Sequence, residues 1–136
     1  MEEYPRCFAC GGQNPIGLRL RFAWEGGVAR ATFVPGSEHQ GYPDRMHGGL
    51  VCTLLDEAMA YALRGLGVEG YTARLEVRFR QAVPIGRPLQ VEAGVTRRRG
   101  RLAEIWACIK GEDGTVAAEG TGRYMLRADD AGQPRP

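Results

Sequence analysis

A histidine followed by two glycines, His47-Gly48-Gly49, and two adjacent acids further on, Asp56 and Glu57, are the residues best placed to do chemistry. If Gly48 and Gly49 open a helix, their backbone N–H groups lie in the first turn, where no intrahelical acceptor exists. Without side chains they let a carbonyl approach those amides closely, and the positive end of the helix dipole adds to the field. Those are the ingredients of an oxyanion hole, where one donor is worth about 3 kcal/mol. The plain alternative is that the two glycines only permit a sharp entry into the helix. A carboxylate can supply the other half of such a site, as a general base on water or as a nucleophile. Asp56 lies about 13 Å along a helix axis from His47, too far to serve a carbonyl bound at its own helix's N-terminus. Two antiparallel helices across a two-fold axis would bring each Asp56 to the other copy's His47-Gly48-Gly49, giving two equivalent shared sites. The two acids flank the apolar arc of the helix on opposite sides, so the helical wheel does not choose between them.

Cys7 and Cys10 form a C-x-x-C, with Cys52 and Cys108 standing alone. A structural zinc site takes four ligands, and no second C-x-x-C or H-x-x-x-H follows. The expectation is four free thiols and no metal.

The elements that must position these residues can be read from periodicity. Residues 1–17, rich in Gly, Pro and Cys, read as an irregular arm. LRLRFAW and VARATFV suggest two strands turning at Gly26-Gly27, and residues 35–46 read as a loop. From Gly48 to about Leu66, apolar residues such as Val51, Leu54, Leu55, Ala58 and Met59 recur at three- and four-residue spacing, which predicts one long amphipathic helix ended by Gly65, Gly67 and Gly70. Alternation then predicts strands around 74–80, 89–95, 102–109 and 115–126, with GEDG turning between the last two. The residues from about 129 to 136 read as a flexible tail. One helix cannot cover a sheet from two sides, which excludes a doubly wound parallel architecture. The fold class is α+β, an antiparallel curved sheet wrapped around one long central helix. The sheet's other face stays partly apolar, with Leu102, Trp106 and Cys108, which favours pairing in an oligomer.

The chain of 136 residues is of single-domain size, with 43% hydrophobic and 25% charged residues. Its 18 basic and 16 acidic residues nearly cancel, unlike a nucleic-acid binder. No apolar run approaches the roughly 20 residues of a membrane span. The N-terminus MEEYPRCFAC lacks the basic-then-apolar pattern of an export signal, so the expected location is cytoplasmic.

His47-Gly48-Gly49 followed after six residues by Asp56 resembles the signature of hotdog-fold acyl-CoA thioesterases, the PaaI-like group in particular. CFACGGQNPIGLRLRF, YTARLEVRFRQAVPIGRPLQV and EDGTVAAEGTGRY fit the same resemblance, which covers about residues 7–126. It implies a hotdog domain over residues 18–128 behind the 1–17 arm, acting on an acyl-CoA to give a free acid and coenzyme A. It also implies a homodimer or homotetramer and no cofactor. Asp56 falls on the family's catalytic carboxylate, as nucleophile or general base, with Glu57 beside it. His47 would line the site, and Thr72 falls where relatives carry a Ser or Thr that helps hold the water. Arg97, Arg98 and Arg99, with Arg101, read as a solvated turn or as contacts to coenzyme A phosphates. Tyr42, Met46, Met59 and Tyr61 read as acyl-pocket walls or as core. The alternative function is a non-catalytic acyl-CoA-binding hotdog protein, a ligand sensor or carrier.

Overall fold

The computed structural model describes residues 4–128, so the expected tail at 129–136 lies outside the described residues. Six strands, β1 (Ala23–Glu25), β2 (Val28–Phe33), β3 (Gly70–Phe79), β4 (Leu89–Arg99), β5 (Leu102–Lys110) and β6 (Val116–Leu126), form one sheet in the order β1-β2-β4-β5-β6-β3. Every pairing is antiparallel. The helix α1 (Gly48–Arg64) falls in chain order between β2 and β3 and lies against the concave face. The architecture is the α+β arrangement expected, an antiparallel curved sheet around one long helix.

The helix forms where the periodicity places it, and its buried face is Val51, Leu54, Leu55, Ala58, Met59, Ala62 and Leu63. These side chains meet Ala103, Ile105, Ala107 and Ile109 of β5, each buried, while Leu102, Trp106 and Cys108 alternate to the outer face. The strict alternation on β5 is what lets one face belong to the core and the other to solvent or a partner.

Three strand boundaries differ from the sequence reading. One is the end of β4, which runs to Arg99 rather than 95 because Arg97, Arg98 and Arg99 pair with Glu104, Ala103 and Leu102 of β5 instead of forming a turn. The strand expected over 18–24 shrinks to Ala23–Glu25. Leu18 and Leu20 are buried, but their N–H groups donate to Phe8 and Ala9 of the arm, and Arg19 sits at φ 55. A non-glycine residue in the left-handed region interrupts extended pairing. The strand expected from 74 starts earlier, at Gly70, because β3 pairs along nearly the whole of β6. The β1–β2 hairpin turns on Gly26 and Gly27, at φ 57 and 81, the pair of positive angles that a tight two-residue hairpin requires.

Candidate active site

His47 caps α1. Its Nδ1 accepts a hydrogen bond from the Gly49 N–H at 2.9 Å, and its carbonyl accepts from Leu50 and Val51. The ring thus satisfies one of the donors that the sequence reading leaves open at both glycines. The Gly48 N–H is the one that finds no acceptor among the described residues. Gly48 does not need a positive φ, and a Cβ there would meet only the Phe79 ring at 3.7 Å, an ordinary contact. Neither backbone strain nor crowding within the chain therefore demands glycine at 48. A bare Cα beside a free amide suits a ligand atom that must come close.

Gly48 opens onto a groove of about 810 Å³ whose walls include Tyr42, Met46, His47, Val51 and Phe79. Met46 is buried at its base, whereas Tyr42 is 82% exposed at its rim.

Asp56 stands two turns further along α1, half-buried, where β3 and β6 pass over the helix. Thr72 Oγ1 donates to Asp56 Oδ1 at 2.7 Å, and the Tyr124 hydroxyl meets the same carboxylate oxygen and lies 3.0 Å from the Asp56 carbonyl. Burial first, then the Asp56 charge, push the Tyr124 phenol above its ordinary range, so it stays a donor. Tyr124 has no distinguishing signal in the sequence. It is one inward residue of an alternating strand, and only the pairing of Thr72 with Tyr124 across β3 and β6 brings it to Asp56.

Glu57 turns the other way, towards the arm. Its Oε2 accepts from Cys7 Sγ at 3.6 Å, and it borders a separate cavity of about 300 Å³ with Tyr4, Cys10, Arg64 and Tyr71. All four cysteines are free thiols. Burial first, then a hydrogen bond with Glu57, raise the Cys10 thiol to about 12. Burial and the Asp56 charge raise Cys52.

Tyr61 also lies away from the groove. Its ring stacks on Phe22 at 4.5 Å and carries the Arg64 guanidinium 4.6 Å over it. Met59 is fully buried beneath β6, where a Cβ on Gly122 would come 2.5 Å from its sulfur. Arg97, Arg98 and Arg99 end β4 next to the Leu102 end of β5. Arg101 donates to the Leu126 carbonyl at that end, while Phe79, beside Gly48, pairs with Ala118 at the other end of β6. Within one chain, these arginines and the Gly48 amide occupy opposite ends of the sheet.

The family model of the thioesterase superfamily matches residues 44–118, and the chain belongs to that superfamily. No curated protein matches the sequence. A crystallised thioesterase superfamily protein is 26% identical and superposes with a TM-score of 0.84, over 88% of this chain and 62% of that one. The chain therefore spans less than two thirds of that relative's length. The hypothetical thioesterase of Streptococcus pneumoniae, crystallised with coenzyme A, is 17% identical, with a TM-score of 0.74 over 79% of this chain and 87% of that one. That protein has also been crystallised as an aspartate-to-alanine and as a threonine-to-alanine variant, at positions sixteen residues apart. The E. coli PaaI protein, from the phenylacetic acid degradation operon, is 20% identical, with a TM-score of 0.75 over 81% of this chain and 80% of that one. These structures share the hotdog fold with this chain.

Proposed function

We propose that the protein hydrolyses an acyl-CoA thioester to a free acid and coenzyme A, at a site completed by a second copy of the chain. The observation that carries this reading is the Asp56 carboxylate, half-buried on α1 and held at one oxygen by the Thr72 and Tyr124 hydroxyls. Asp56 and Thr72 have the same separation as the two substituted positions of the pneumococcal protein, which supports treating them as one unit.

Asp56 acts as general base. With Oδ1 engaged by two hydroxyls, the other carboxylate oxygen takes a proton from water, and the Thr72 oxygen accepts a second hydrogen bond from that water. Hydroxide adds to the thioester carbonyl. The Gly48 N–H, at the positive end of α1, stabilises the oxyanion as it forms. Collapse breaks the C–S bond, and Asp56 returns the proton to the departing thiolate.

Gly48 and Asp56 lie eight residues apart on one helix, about 12 Å, so one chain cannot supply both to one carbonyl. The partner would dock along β3, an edge strand of 10 residues whose Tyr71 and Phe79 are 68% and 57% exposed. Antiparallel helices would also carry Arg97, Arg98 and Arg99 of one copy towards the other copy's Gly48, where coenzyme A phosphates would lie.

A panel of aliphatic and aromatic acyl-CoAs, followed by thiol release, tests the reading with Asp56→Asn alongside. The expected result is turnover of at least one substrate class and a loss of about 100-fold or more in kcat in the variant, with binding retained. Binding of several acyl-CoAs without turnover of any would replace it by the sensor or carrier reading.

A further inference from the structure

The C-x-x-C of the arm has a third potential ligand that the linear sequence hides. Cys7 Sγ, Cys10 Sγ and a Glu57 carboxylate oxygen all lie within 4.8 Å of one another. We propose that these three residues form a zinc site that ties the N-terminal arm to α1, its fourth position held by water.

The geometry fits that ion. Zinc–sulfur bonds of about 2.3 Å and zinc–oxygen bonds of about 2.1 Å at tetrahedral angles place sulfur and oxygen ligands roughly 3.6 Å apart. Cys7 Sγ and Glu57 Oε2 stand at 3.6 Å. Two thiolates select a soft or borderline cation, and a carboxylate in the same set favours Zn²⁺ over Cu⁺. Cys10 is buried and Cys7 and Glu57 are half-buried, so the cluster is shielded without being sealed. The 300 Å³ cavity bordered by all three side chains gives the ion an entry path and room for its water.

The arm is arranged to present these sulfurs before any ion arrives. The Gly11 N–H donates to the Cys7 carbonyl at 2.8 Å, which folds the C-x-x-C into a turn. A Cβ on Gly11 would stand 2.4 Å from the Pro5 carbonyl oxygen, so the turn can close this tightly only with glycine there. Leu18 and Leu20 donate back to Phe8 and Ala9 and fix the turn against the core. Glu57 comes from the opposite flank of α1 to Asp56, so the ion would lie outside the thioester site. Binding exchanges the two thiol protons for one Zn²⁺ and releases both protons to solvent, while Glu57 binds as the carboxylate.

The test uses the full chain, reduced, stripped with a chelator and titrated with Zn²⁺ against a competing chromophoric chelator. One Zn²⁺ per chain is expected, bound at least 10-fold more weakly by Glu57→Gln and not at all by Cys7→Ser. Co²⁺ in place of zinc should give the intense visible bands of a tetrahedral site and a sulfur-to-cobalt charge-transfer band that Cys7→Ser abolishes. Tm should rise on adding Zn²⁺ to the wild type. Glu57→Gln keeps both thiols, so it remains informative if Cys7→Ser fails to fold. No saturable zinc binding by the reduced wild type would overturn the proposal, as would equal affinity in Glu57→Gln or an octahedral, sulfur-free cobalt spectrum.

Discussion

Asp56 depends on two hydroxyls that come from different strands. Thr72 reaches it from the exposed edge of the sheet, Tyr124 from the buried interior. A hydrogen bond to a charged group is worth about 1.5–3 kcal/mol, and Tyr124 also fixes the carboxylate's direction. Tyr124→Phe keeps the ring and its packing but removes this donor. We expect kcat to fall by about 10- to 100-fold with KM changed little, and Tm to drop by a few degrees. Steady-state kinetics and a thermal melt check both, and an unchanged kcat would remove Tyr124 from the site. The sequence reading leaves both glycine amides open, whereas the His47 ring accepts from the Gly49 amide and only the Gly48 amide is without an acceptor among the described residues.

At the scale of elements, the end of α1 is set by an indole. Gly65 has an ordinary φ of −63, so its backbone would accept alanine. A Cβ there would nevertheless stand 2.4 Å from Trp24 Cδ1 of β1, whose Nε1 donates to the Tyr61 carbonyl at 2.7 Å. The helix C-terminus and the β1–β2 hairpin are thus locked by close approach. Gly65→Ala should destabilise the protein by about 1–3 kcal/mol through overpacking. In a Trp24→Ala background the clash is gone, and the same change should be neutral or stabilising by up to about 1 kcal/mol, since alanine is the better helix former. Denaturant titrations of the four proteins in this cycle measure the sign reversal. The sequence reading places Gly65 as a helix end but gives no sign of Trp24, because the two meet only when the hairpin folds back on α1.

At the scale of the whole molecule, one buried carboxylate links three adjacent strands. Glu92 of β4 is 4% exposed and pairs with Lys110 of β5 at 2.8 Å and with Arg30 of β2. The Lys110 ammonium first, then the Arg30 guanidinium, hold its carboxyl below the ordinary glutamate range despite its burial. A depressed folded value means the contribution is complete above the unfolded value of about 4.5 and is lost as pH falls through the folded one. Glu92→Gln should therefore lower Tm by several degrees at pH 7, and the gap to wild type should narrow as the solution is taken below pH 4. Melting curves across that range decide the matter, since a gap independent of pH would mean that the charge is not what matters.

Pattern alone carried the long helix, the alternating strands after it and the single-sheet architecture, because burial on one face writes a period of 3.6 or 2 into the chain. It also carried the His47-Gly48-Gly49 and Asp56 spacing that the superfamily match includes. The different surroundings of the adjacent acids were out of its reach. Asp56 and Glu57 are equivalent neighbours on a helical wheel, and they separate only when β3 and β6 bring hydroxyls to one flank and the arm brings Cys7 to the other. Tyr124, Trp24 on Gly65 and the Cys7–Cys10–Glu57 cluster were hidden for the same reason. Each joins residues more than 35 positions apart, and only the packed tertiary structure sets such contacts.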